Sequence, residues 1–196
     1  MHYSVRFFLI PLLVIFLYLV GCGGKTQQPL PPPPLPTTDP AQVTWNQEAG
    51  GLHYRIETAS DLNHEGNIPL GITVCVYQLE DPTTFQDLAT SKLGLYKLLD
   101  CNIETTKARS SKLFKMQPGK RVNVVADRVE KAKFFAVAAG YEHLSPELCT
   151  AIIPFPLHHD KQGVIFRDDV YQAAPMNALI HLGADAVTIS GVERVQ

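Results

Sequence analysis

Hydrophobic and polar residues alternate most regularly in residues 68–89, IPLGITVCVYQLEDPTTFQDLA. The β-branched residues that recur at every second position are Ile72, Val74 and Val76. A period of two predicts a half-buried β-strand. Asp81 can cap a helix and Pro82 favours the first helical position, and Phe85 follows at helical spacing. The pattern therefore predicts a strand that leads directly into a short helix.

Similar short apolar patterns recur on both sides of this stretch. The other predicted strands are residues 51–62, 113–117, 121–126, 132–139, 150–157, 178–182 and 186–190. Residues 92–99 predict a second helix, with Ser91 as its cap. Short strands at close spacing predict a mainly β fold, a two-sheet β-sandwich of about eight strands with a helical pair inserted after the second strand. Residues 157–175 have no regular pattern and are consistent with a long loop.

The N-terminus has the features of a lipoprotein signal peptide. Residues 1–21 contain Arg6 and then an apolar run of about 14 residues, shorter than the roughly 20 that a spanning helix needs. The run ends in Leu-Val-Gly-Cys, which resembles the lipobox of bacterial lipoproteins and predicts lipidation of Cys22. A transmembrane anchor is the alternative interpretation. Gly23 in place of Asp favours the outer membrane.

The signal peptide is followed by a linker and one domain. Residues 22–41 hold the predicted lipidation site and a proline-rich run, which favours an extended polyproline II spacer. Residues 42–196 are long enough for one globular domain. The 196-residue chain has a formal net charge of −2 and no basic block, so it lacks the electrostatic signature of a nucleic-acid-binding protein.

The central stretch resembles the outer-membrane lipoproteins of type VI secretion, the TssJ (SciN, VasD) family. The resemblance rests on Leu62-Asn63, a polar loop with Gly66 and Pro69, the strand ending in Val-Tyr-Gln-Leu, and Phe85. It extends over roughly residues 50–150. The family's fold is a transthyretin-like sandwich with an added helical pair. The resemblance implies a structural protein without enzymatic activity.

The resemblance also implies a partner, the periplasmic C-terminal domain of the inner-membrane component TssM. Family members use the loop between the first two strands for this contact. The corresponding residues here are Asn63, His64, Glu65, Gly66, Asn67 and Ile68. The alternative hypothesis is a periplasmic lipoprotein that binds a small ligand or peptidoglycan within its sandwich, and a third is an adhesin module.

Three cysteines besides Cys22 allow three single disulfide pairings in an oxidising compartment. Cys75 lies in the middle of a predicted strand and is compatible with a buried small hydrophobe. Cys101 and Cys149 lie near the ends of predicted elements, where a bridge is geometrically easier. The favoured pairing is therefore Cys101–Cys149.

The sequence contains no recognisable catalytic, cofactor or metal motif. His158-His159-Asp160 is the densest group of metal-type ligands. Adjacent residues on a strand point to opposite faces, so a solvated loop is the favoured interpretation and no metal site is predicted. Asp168-Asp169 likewise lacks an acid–base geometry. We expect no enzymatic activity and no cofactor.

Overall fold

The computed structural model describes residues 34–66, 68–163 and 167–191, so the predicted signal peptide and Cys22 lie outside the described residues. Its strands are β1 (Glu48–Thr58), β2 (Ile72–Leu79), β3 (Ser110–Met116), β4 (Arg121–Arg128), β5 (Phe134–Ala139), β6 (Thr150–Pro154), β7 (Leu157–Gln162), β8 (Asp168–Ala173), β9 (Met176–Leu182) and β10 (Val187–Gly191). Its α-helices are α1 (Thr83–Ala89), α2 (Lys92–Leu99) and α3 (Ile103–Thr106). A short 3-10 helix, Pro40–Gln42, precedes β1.

The strands form two four-stranded sheets and a two-stranded ribbon. The first sheet has the order β10-β9-β1-β4, the second has the order β3-β2-β5-β6, and the ribbon pairs β7 with β8. β1 and β9 run parallel, and the other pairs of neighbouring strands run antiparallel. The prediction of a mainly β fold with helices inserted after the second strand is confirmed.

The inner faces of the two sheets enclose the hydrophobic core. Leu52, Tyr54 and Ile56 of β1 are buried, as the alternation in the sequence predicts. The ring centroids of Tyr54 and of Phe135 in the second sheet are 5.2 Å apart. Such tilted aromatic pairs add packing energy to the buried area itself. The space between the sheets is therefore filled by side chains.

The helices cover the outer face of the second sheet. They bury β2 on both faces, whereas the period of two predicted a half-buried strand. Tyr77 of β2 packs on Phe85 of α1 and donates a hydrogen bond to the carbonyl oxygen of Leu98. A Cβ at Gly94 would lie 1.9 Å from the carbonyl oxygen of Leu88, so only glycine permits this close approach of α1 and α2.

The observed disulfide joins Cys75 to Cys101, so the predicted pairing of Cys101 with Cys149 is wrong. Cys75 points to the outer face of its sheet, where the end of α2 brings Cys101 to a Cα–Cα distance of 5.6 Å. Cys149 is a buried free thiol whose sulfur accepts a hydrogen bond from the backbone N–H of Ser145 at 3.3 Å. A mid-strand position did not exclude Cys75, because the helical layer covers that face.

Residues 157–175, expected as a long loop, contain the β7–β8 ribbon. The end of the predicted linker packs on this ribbon. Thr37 exchanges backbone hydrogen bonds with Tyr171 at 3.1 and 2.7 Å, and the side-chain amide of Gln172 donates to the carbonyl oxygen of Pro34 at 3.3 Å. The chain is thus attached to the domain from residue 34 onward, before the predicted linker boundary at residue 41.

The strand registers define two opposite ends of the sandwich. One end, which we call the linker pole, lies close to residues 34–47. Strands β1 and β9 begin at this end, and strands β2, β4 and β6 end there. At the other end, here the loop pole, lie the connections 59–71, 117–120, 140–149 and 183–186. The stretch before β1 and the connection after it are therefore separated by the length of the sandwich.

Candidate partner-binding surface

The β1–β2 connection ends in a tight turn at the loop pole. Glu65 and Ile68 exchange backbone hydrogen bonds at 3.0 and 3.1 Å. Gly66 within the turn has a φ of +61°, a conformation that glycine adopts without strain. Asn67 lies outside the described residues. The two hydrogen bonds hold Glu65 and Ile68 in a defined arrangement, which reduces the entropy lost on binding.

Asn63 has a structural position rather than an exposed one. Its relative exposure is 7%, and its φ is +46°. Its side-chain oxygen accepts a hydrogen bond from the backbone N–H of Glu142 at 2.6 Å, and its own N–H donates to the carbonyl oxygen of Ala184 at 2.8 Å. Asn63 therefore joins three connections of the loop pole, and it can influence a partner only through their arrangement.

The other two connections are tied to each other by Tyr141. Its hydroxyl donates to the carbonyl oxygen of Ala186 at 2.8 Å, and burial raises the pKa of this hydroxyl above its ordinary value. The backbone N–H of Val187 donates to the carbonyl oxygen of Leu148 at 2.9 Å. These bonds, together with those of Asn63, make the connections 59–71, 140–149 and 183–186 one continuous surface.

The exposed side chains of this surface are acidic with isolated apolar residues. The carboxylates of the loop pole are Asp61, Glu65, Glu142, Glu147 and Asp185, and all are exposed. None of them forms an ion pair with another described residue, and Lys120 is the single Lys or Arg in the four connections. Ile68 is 67% exposed and Leu148 is 43% exposed. Both apolar side chains are accessible to a protein partner.

The other candidate residues from the sequence form no chemical site. His158, His159 and Asp160 lie on the exposed strand β7 rather than in a loop, and His159 binds Asp169 of β8 at 2.9 Å. The hydrogen bond from His159 lowers the pKa of Asp169. No group of three metal-type ligands lies close together among residues 34–66, 68–163 and 167–191.

A shallow groove of about 230 Å³ crosses the outer face of the first sheet. Strands β1, β4 and β9 line it, with Arg55, Asn123 and Leu179 among its residues. The hypothesis of a small-ligand lipoprotein predicted a pocket within the sandwich, where the structure instead has packed side chains. In the described part of the chain, no helix has the length and hydrophobicity to cross a membrane.

Residues 51–184, more than half of the chain, match the family described as type VI secretion lipoprotein, VasD, EvfM, TssJ. The chain belongs to the type VI secretion lipoprotein family. The resemblance seen in the sequence is confirmed, and the family is one of structural lipoproteins of type VI secretion. No curated protein matches the chain in sequence.

Solved structures share the fold of this family member. The T6SS lipoprotein TssJ1 from Pseudomonas aeruginosa is 16% identical, with a TM-score of 0.54 over 76% of this chain and 98% of that chain. A structure described as the T6SS protein TssM C-terminal domain (869-1107) from EAEC is 24% identical, with a TM-score of 0.51 over 72% of this chain and 98% of that chain. A structure described as a type VI membrane complex is 20% identical, with a TM-score of 0.50 over 76% of this chain and 99% of that chain. These TM-scores of 0.50 to 0.54 establish a common fold at sequence identities below 25%.

Proposed function

We propose that this lipoprotein anchors the periplasmic C-terminal domain of the inner-membrane component TssM to the outer membrane, and that the loop pole is the contact surface. The observation that carries the proposal is the β1–β2 turn of a type VI secretion lipoprotein, which presents His64, Glu65 and Ile68 to solvent on a hydrogen-bonded base. A pre-formed turn is suited to recognition because little order must be gained on binding.

The similar structures support this choice of partner. One is described as the TssM C-terminal domain and another as a type VI membrane complex, and each covers more than 70% of this chain. The acidic surface and exposed apolar residues of the loop pole suit a protein partner better than an apolar small molecule, which requires a concave pocket.

The membrane side of the anchor is assigned to Cys22. Two or three acyl chains at this residue would give stable attachment, because each buried CH₂ contributes about 0.8 kcal/mol. We expect the Cys22→Ser variant to lose palmitate labelling and to leave the outer-membrane fraction, while the wild-type protein retains both. Palmitate labelling of the variant at the wild-type level would place the lipid elsewhere.

The partner contact is tested by Glu65→Ala/Ile68→Ala. Both side chains are exposed, so we expect an unchanged melting temperature. Binding to the purified TssM periplasmic domain should weaken about tenfold or more, mainly through faster dissociation. Interferometry gives the rate constants and a thermal melt checks the fold.

The matched control is Asp87→Ala/Leu93→Ala on the helical insertion. Leu93 is 69% exposed, close to the 67% of Ile68, and Asp87 is also an exposed carboxylate. This control should bind like the wild type. Equal affinities for the loop variant and the wild type, with both proteins folded, would refute the assignment of the contact to this turn.

A further inference from the structure

Strand β1 connects the two poles of the sandwich directly. It has 11 residues, which span about 36 Å at roughly 3.3 Å per residue. The stretch from the membrane anchor enters β1 at Glu48, and the β1–β2 connection leaves it after Thr58. In the proposed function, the anchor and the partner therefore attach at opposite ends of one strand.

Arg128 fixes the start of β1 at the linker pole. Its side chain is 4% exposed, and Nη2 lies 2.9 Å from Oε2 of Glu48. The same nitrogen donates to the carbonyl oxygen of Asn46 at 3.3 Å, and the guanidinium carbon lies 5.2 Å from the centroid of the Trp45 ring. The backbone N–H of Lys131 also donates to the carbonyl oxygen of Trp45. The residues before β1 are thus held by the β4–β5 region.

Asn63 fixes the chain after β1 at the loop pole. Asn63 makes its two bonds to Glu142 and Ala184. Four residues earlier, the backbone N–H of Ala59 donates to the carbonyl oxygen of Leu182 at 2.8 Å. Leu62 between them is fully buried. The partner turn therefore begins where the chain is bonded to neighbouring connections.

We propose that β1, held by Arg128 at one end and by Asn63 at the other, is the strand of this domain that carries mechanical tension. Tension between the anchor and the partner turn then passes along one backbone segment, which is extended from Leu52 to Thr58 after a β-bulge at Gly50. Apart from the two backbone hydrogen bonds between Thr37 and Tyr171 of β8, which the tension meets first, the other strands and the core carry little of this load. This inference rests on the proposed function, which supplies the two points of attachment.

Single-molecule pulling tests the load path by comparing two pairs of handles on the full-length chain, purified in detergent. One pair places azide-bearing residues at Gln47 and Glu65, so that the covalent path between them is β1. The other pair uses Gln47 and Asp185. Glu65 and Asp185 are both exposed at the loop pole, so the two pairs pull along similar directions and differ in covalent path.

We expect the Gln47/Asp185 pair to unfold in a step on the order of 350 Å, with the Cys75–Cys101 loop excluded, because its force acts across the contacts between strands. Only 18 residues join Gln47 to Glu65, so this pair can lengthen by no more than roughly 25 Å, and at the same force we expect it to keep its native length. A step of roughly 25 Å at or below the force that unfolds the Gln47/Asp185 pair would overturn the proposal.

Asn63→Gly tests the role of Asn63 as a positioning residue, because glycine tolerates the positive φ but lacks the bond to Glu142. The Gln47/Glu65 pair should then lengthen at lower force than in the wild type. An unchanged force–extension curve would remove Asn63 from the load path and contradict the proposed clamp. No partner is present in these measurements, so a negative result is distinct from a failure to bind TssM.

Discussion

Asn63 lies in the proposed partner loop, but its position is structural. Its sequence position in a polar connection suggested exposure, yet it is 7% exposed and bonded on both sides. Asparagine suits this position because it tolerates the left-handed region better than most residues and supplies a side-chain acceptor. The loop's shape therefore depends on a residue that the partner does not need to touch.

Substitutions at Asn63 should separate these two properties. Asn63→Gly loses the hydrogen bond to Glu142, and we expect the free energy of unfolding to fall by about 1 kcal/mol, because this bond is only partly buried. Asn63→Ala also strains the positive φ and should cost roughly 1 kcal/mol more. Urea denaturation measures both values. A more stable Ala variant than Gly variant would contradict the backbone argument.

The helical insertion is fixed to the sandwich by a disulfide and by packing around Tyr77. The disulfide joins the end of α2 to the middle of β2, and Tyr77 packs on Phe85 of α1. The Tyr77 hydroxyl donates to the carbonyl oxygen of Leu98, and burial raises the pKa of this hydroxyl. The short helices would be marginal in isolation, so their order depends on these contacts.

Removing the disulfide should destabilise the domain. The bridge closes a loop with a sequence separation of 26, which corresponds to about 3.5 kcal/mol in the chain-entropy model. We expect Cys75→Ser/Cys101→Ser to lower the free energy of unfolding by about this amount, measured with guanidinium. Non-reducing peptide mapping of the wild type should recover Cys75 joined to Cys101.

Cys149 provides the internal control for this pairing. It is buried and burial raises the pKa of its thiol, so it should react with thiol reagents only when the domain unfolds. Rapid labelling of Cys149 in the folded protein, or its recovery in a mixed peptide with Cys101, would contradict the structure.

At the scale of the whole molecule, charge is distributed unevenly between the ends of the sandwich. Five exposed carboxylates lie in the connections of the loop pole with a single lysine, whereas the whole chain has a net charge of −2. Carboxylates without ion-pair partners attract basic groups over about a Debye length, roughly 10 Å at 0.1 M salt. This end of the domain is therefore suited to a partner surface that carries Lys or Arg.

The affinity for the TssM periplasmic domain should accordingly depend on ionic strength. We expect the association rate to fall as salt rises from about 50 mM to about 500 mM, with a smaller change in dissociation. Glu142→Gln/Glu147→Gln should reduce this salt dependence, and interferometry measures both rates. Association that is independent of salt would show that the acidic surface does not take part.

Local chemistry in the sequence determined the elements of this protein. The alternation of apolar and polar residues predicted strands β1 and β2, and the helical spacing of apolar residues predicted the bounds of α2. Ser91 caps α2 by accepting from the N–H of Gly94 at 3.1 Å, and Asp81 accepts from the N–H of Thr83 at 2.7 Å. The family pattern around β2 also lies within one stretch of sequence. These features are readable because each depends on residues a few positions apart.

The tertiary structure alone decided how those elements meet. The Cys75–Cys101 pairing depends on the helices folding back over β2, and the burial of Asn63 depends on connections about 80 and 120 residues away. The β7–β8 ribbon has exposed residues on both faces of β7, so no alternation marks it in the sequence. The linker and the proposed partner turn lie at opposite ends of the sandwich because of the strand registers. Those registers are set by contacts between distant segments and by no local pattern.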